Sequence, residues 1–176
     1  FKPVSEAAAQ ALSYYPVEER IRALRDIEQP VMPAQVLTLT KGLDRSLAYD
    51  LVVNLKERGL LALDWTETEL HLLVKIDEER AWPEVQAYVQ AHDGFRLGRL
   101  IELLNLENRR IALRTWIEKG EDYRYFIDEQ LKLVDSARFS KREHLELLTT
   151  IEKHVTESRM RQEYRAPLLK SVHAAK

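Results

Sequence analysis

Residues 36–76, VLTLTKGLDRSLAYDLVVNLKERGLLALDWTETELHLLVKI, decide how the rest of the chain is read. A helix from Pro33 to about Thr40 leads into Lys41-Gly42-Leu43, a turn in which Gly42 takes positive φ and Leu43 points back to the core. Asp44 is placed as an N-cap. The helix from Arg45 to Arg58 turns Leu47, Ala48, Leu51, Val52 and Leu55 inward, and Gly59 suits a left-handed C-terminal cap. Leu60 to Trp65 and Glu69 to Ile76 then read as the two strands of a β-hairpin.

Two helices, a tight turn and a hairpin, in that order, resemble a winged helix-turn-helix over residues 17–76. The resemblance implies a mostly α fold with one hairpin wing, followed by a helical C-terminal half. It also implies that the N-terminal half of the second helix faces a DNA major groove. Subtracting the buried face leaves Arg45, Ser46, Tyr49, Asp50 and Asn54 pointing outward. In that setting Arg pairs with guanine, Asn with adenine, and Ser or Tyr holds phosphate. The same superfold also serves as a scaffold for protein partners, so it implies either use.

Charge separates the two. Val17 to Arg80 carries 13 acidic against 9 basic residues, whereas phosphate neutralisation normally gives a DNA-binding unit a basic footprint. The expected wing tip, Asp64-Trp65-Thr66-Glu67-Thr68-Glu69, would set three carboxylates against a phosphate backbone and repel it. Trp65 at that tip suits an aromatic anchor for a protein partner, and equally a side chain folded back over the core. A second segment, RLGRLIELLNLENRRIALRTWIEKG, reads as helix, short turn and helix. Its Arg96, Arg99, Arg109, Arg110 and Arg114 face only Glu102 and Glu107, so they become the candidate phosphate contacts, against the alternative of a solvated arginine-rich face. From Ser136 to Lys176 there are 9 basic and 5 acidic residues.

The remaining pattern is helical. Ala-rich SEAAAQALSYYP precedes Pro16, which suits the first turn of a helix bearing Val17, Ile21, Leu24 and Ile27 on one stripe. After the expected wing, Asp77 to His92 carries Trp82, Val85, Tyr88 and Val89. Glu121 to Asp135 carries Tyr123, Ile127, Leu131 and Val134. Ser140-Lys141-Arg142-Glu143 is a capping box that opens a helix with Leu145, Leu148, Ile151 and Val155, expected to reach about Arg165. The expected division is an N-terminal helix at 1–16, the winged unit at 17–80, a helical domain at 81–167 and a frayed or partner-dependent tail at 168–176.

Composition and missing motifs exclude several classes. The chain has 176 residues, 45% hydrophobic and 32% charged, with 5 Gly and 6 Pro, a globular and helix-rich profile. Having no Cys rules out disulfides, thiol catalysis and Cys-built zinc sites. No apolar run approaches the roughly 20 residues of a membrane span, and no signal peptide opens the chain, so a cytoplasmic location is expected. The first residue is Phe1 rather than Met, which leaves room for a longer parent chain. Phosphate loop, HExxH, GxSxG and dinucleotide fingerprints are missing, and no two of the five His residues stand at i, i+4. Gly94-Phe95-Arg96-Leu97-Gly98 reads as a turn and helix start. The expectation is a protein without enzymatic activity, cofactor or metal. Its two candidate functions are a regulator that binds double-stranded DNA and oligomerises or receives a signal through its helical half, and an adaptor that holds a protein partner or a second copy of itself.

Overall fold

The structure is a computed structural model and describes residues 6–62, 66–92, 97–120 and 124–176. It divides into two compact units, Phe1–Trp82 and Pro83–Lys176. The first holds α1 (Glu6–Ser13), α2 (Val17–Asp26), α3 (Pro33–Thr40), α4 (Arg45–Glu57) and the start of α5 (Thr66–Ala91). The second holds the rest of α5 with α6 (Leu97–Leu103), α7 (Leu106–Lys119), α8 (Arg124–Ser136), α9 (Lys141–Glu157) and α10 (Gln162–Ala175).

In the first unit the helix ends fall where local chemistry places them. Lys41 at φ −58, ψ 123 and Gly42 at φ +77 have type II turn dihedrals, closed by Leu43 N–H on the Thr40 carbonyl at 3.0 Å. Asp44 caps α4 by accepting from the Leu47 N–H at 3.1 Å. At the other end, Gly59 N–H donates to Lys56 O and Leu60 N–H to Leu55 O, both at 2.8 Å. With Gly59 at φ +68, that is a Schellman stop. Ala48, Leu51, Val52 and Leu55 are buried, while Leu47 is half-buried. In α2, Leu24 is buried, Ile21 and Ile27 are half-buried, and Val17 is exposed; Pro16 is the N-cap residue.

The expected hairpin is absent from the described residues, and with it the winged architecture. Residues 66–76, which include the expected second strand, are the first turns of α5. Leu60 and Leu61 pair instead with the α2–α3 connection, where Val31 N–H donates to Leu60 O at 2.8 Å and Ala62 N–H to Val31 O at 2.9 Å. This is a single parallel bridge, which ties the two connections together around a Val31 with no exposed surface. Two features favour helix over strand. Glu67 and Glu69 lie in the first turn of α5, where the helix dipole favours carboxylates. Leu70, Leu72, Leu73 and Val74 are all buried, and a strand with one solvated face would have turned Leu73 outward. The helix is broken locally at Asp77, φ −151 and ψ 92. Trp65 and Asp64 lie outside the described residues.

The second unit packs α7, α8, α9 and α10 around Leu113, Trp116, Val134, Leu148, Val155 and Val172. Asn105 caps α7 through the N–H groups of Glu107 and Asn108. Ser140 and Glu143 form the reciprocal capping box on α9. Two expectations change. The helix from Lys141 stops at Glu157, and Leu145 is 46% exposed, so the buried stripe runs through Leu147, Leu148, Ile151 and Val155. The expected tail is helix: Pro167 lies inside α10, with Leu168 and Val172 buried. Lys176 and His173 both hold the Glu152 carboxylate on α9, His173 at 2.5 Å. These partners, Lys176 foremost, keep that carboxyl below its ordinary range.

Leu73 and Lys75 give a direct check, because a hairpin would set them on one face and a helix separates them by about 200°. Leu73→Ala is expected to lower the unfolding free energy by roughly 2–5 kcal/mol, and Lys75→Ala to stay within about 0.5 kcal/mol, in urea titration followed by circular dichroism. Equal effects at the two positions would contradict the helix.

Candidate functional site

The outward face of α4 is largely engaged by α5. Arg80 donates to the Ser46 carbonyl at 3.1 Å, to the Ser46 hydroxyl at 3.0 Å and to Asp50 Oδ1 at 2.8 Å. Its guanidinium lies 4.3 Å from the centroid of the Tyr49 ring. The Asp50 hydrogen bond is the main reason the Arg80 pKa rises further. Tyr49 is therefore 5% exposed, a core side chain under a cation rather than an outward phosphate ligand. Asn54 accepts from Arg58 at 3.5 Å, and Lys56 pairs with Glu69. Arg45 alone of the four positions expected to read DNA on this face is exposed with no partner among the described residues.

The arginines of the second unit are also spoken for. Arg109 Nη2 donates to the carbonyls of Glu102 at 2.5 Å and Leu104 at 3.0 Å, at the end of α6. Arg110 donates through Nε to Ala137 O at 2.8 Å and through Nη2 to Arg138 O, just past α8, with Phe139 5.7 Å below its guanidinium. Arg114 pairs with Glu143 at 3.1 Å. That carboxyl sits below its usual range, chiefly through the Ser140 hydroxyl and amide, then through Arg114. Arg99 is exposed on α6, and Arg96 lies outside the described residues. The structure thus separates Arg99 from the three arginines that are bound to the protein's own oxygens.

Sequence reading missed what these cations do. The last carbonyls of a helix have no intrahelical partner, and a cationic side chain is both a donor and a favourable charge there. The same arrangement recurs at other helix ends: Arg58 on the carbonyls of Arg25 and Ile27 after α2, Arg20 on Leu39 and Lys41 after α3, Lys119 on Val89 and His92 after α5, and Arg165 on Ser158 and Met160 after α9. Gly98, read as part of a turn, is instead a buried α6 residue against Glu129 of α8, whose Cδ would lie 2.2 Å from an added Cβ. Burial of Glu129 pushes its carboxyl upward, against the pull of Arg99.

Exposed apolar side chains form the other feature of the surface. In the first unit Tyr14 is 82% exposed, Tyr15 52%, Met32 42% and Val17 38%. Tyr14 and Met32 border two grooves along α1 and α3 that share Gln10 and Thr38. Among the described residues no group of His, Asp and Glu is arranged to hold a metal, and no helix is long and apolar enough to cross a membrane.

If the arginines are caps, Arg109→Ala and Arg165→Ala should each cost about 1–3 kcal/mol in urea unfolding, because each strands helix-end carbonyls. Lys at either position should restore only part of that, since it lacks the planar fork, while Arg99→Ala should be near neutral. Equal, negligible effects at all three would remove the capping role. Comparison of the chain with protein-family models, curated proteins and solved structures returned no match.

Proposed function

We propose that the chain is a protein-interaction adaptor that receives a segment of a partner protein along the seam between α1 and α3. The observation that carries this reading is the apolar surface left in water at both ends of that seam, Tyr14 and Met32, with Tyr15 and Val17 beside the first. Exposed Tyr and Met side chains beside grooves are the residue types enriched at protein interfaces. DNA binding draws little support from the same surface. Three of the guanidiniums expected to contact phosphate, Arg109, Arg110 and Arg114, already hold carbonyls or a carboxylate, and acidic residues outnumber basic ones in Val17 to Arg80. Partial desolvation of a second carbonyl-bound face for each phosphate would cost more than a free surface Lys or Arg.

A photo-crosslinking amino acid placed at Tyr14 or Met32 is expected to capture a partner protein in cells, with Lys153 as an exposed control that does not. Tyr14→Asp and Met32→Asp should leave stability within about 0.5 kcal/mol and weaken the captured complex by about 2 kcal/mol or more. Capture of the chain itself would identify the partner as a second copy. No capture, together with duplex DNA binding whose salt slope drops by about two when Arg109 and Arg110 become Ala in a folded protein, would replace the adaptor with a DNA-binding protein.

A further inference from the structure

Arg20 differs from the other capping arginines in its position. It is only 7% exposed, and Nη1 alone reaches the Leu39 and Lys41 carbonyls, at 3.3 and 2.7 Å. Nε is buried without a partner, and Nη2 takes none among the described residues. This under-used guanidinium forms part of the wall of an open groove of about 710 Å³, together with Lys41, Gln10, Ser13, Tyr14 and Gly42. Among the described residues no acidic one lines it, although acidic residues outnumber basic ones in Val17 to Arg80. The Ser13 hydroxyl is already donated to the Gln10 carbonyl at 2.7 Å, and that of Thr38 to Ala34 at 3.0 Å. The side-chain donors left for a ligand are therefore the Arg20 guanidinium, the Lys41 ammonium, the Gln10 amide and the Tyr14 hydroxyl.

We infer that this groove is an anion site, in which Arg20 and Lys41 hold one carboxylate or phosphate group beside the Tyr14 ring. Two positive charges in a groove with no carboxylate among its described lining residues attract an oxyanion, and a guanidinium gives it the charge-assisted hydrogen bonds that such groups take most strongly. A buried Nε without a partner also occurs at Arg109 and Arg165; what sets Arg20 apart is that its guanidinium stands in the wall of a groove beside the Lys41 ammonium. The inference extends the adaptor reading to one end of its seam and rests on it only for the source of the anion.

The intact chain labelled with ¹⁵N, titrated separately with sodium acetate and sodium phosphate at constant ionic strength set by sodium chloride, tests the site by nuclear magnetic resonance. Saturable shifts of the Arg20 Nε–H and the Gly42 amide are expected. The stronger of the two ligands identifies the group as carboxylate or phosphate. Lys41→Glu should weaken binding at least about tenfold, because it replaces an attraction with a repulsion, while Lys153→Glu should not. Lys41 is used because Arg20 also supports α3 and its loss can unfold the unit; unchanged dispersion of the Lys41→Glu spectrum keeps the comparison valid. Linear shifts shared with chloride, or equal binding by the Lys41→Glu variant, would overturn the site while leaving the crosslinking result at Tyr14 untouched.

Discussion

The carbonyls at the ends of helices are the constraint on which the rest of this structure depends. A fold made of short helices multiplies those ends, and here the helices run from 7 to 26 residues with a single β-bridge among the described residues. Each end leaves carbonyls that the helix itself cannot satisfy. In this chain Arg58, Arg20, Lys119, Arg109, Arg110 and Arg165 reach across connections to hold the ends of α2, α3, α5, α6, α8 and α9. A hydrogen bond to a charged group contributes about 1.5–3 kcal/mol, several times a typical exposed ion pair, so these contacts outrank Arg142 with Glu146 or Arg161 with Glu163.

Two of the caps share one geometry. Arg109 reaches the carbonyls seven and five residues before it, and so does Arg165. Both stand at the fourth residue of their helix, α7 and α10, and both leave Nε buried without a partner. From that position one Nη group meets two carbonyls, two residues apart, of the incoming chain. Function follows from the same arrangement: a guanidinium that closes a helix end is held in place and screened by carbonyl oxygens, so what the surface offers a partner is the apolar material around it and the cations that close no helix end, among them Arg45, Arg99 and Lys41.

Sequence disclosed the helix ends better than the helix partners. Gly42, Asp44, Gly59, Asn105 and the Ser140–Glu143 box act through atoms within a few residues, and each is legible locally. The hairpin was not, because Glu69 to Ile76 alternates well enough for a strand while Leu72-Leu73-Val74 needs burial on both sides of one, and Thr66-Glu67-Thr68-Glu69 carries the Ser/Thr-x-x-Glu spacing of a helix start. Tyr49 was placed outward because the pattern of α4 cannot reveal Arg80, 31 residues later, closing over it. Arg109, Arg110 and Arg114 were counted as surface charge for the same reason: composition counts cations and does not show the carbonyls and carboxylate, up to 29 residues away, that take them.

The guanidinium groups themselves report most directly on this arrangement. Hydrogen exchange and bond rotation measured on the arginine side chains by ¹⁵N magnetic resonance distinguish a clamped guanidinium from a solvated one. Arg20, Arg58, Arg109, Arg110 and Arg165 are expected to exchange slowly and to show resolved, slowly rotating Nη groups, with Arg45 and Arg99 fast and averaged. The same fast, averaged behaviour at all seven would contradict the role of arginine in closing the helix ends, and would return those charges to the surface.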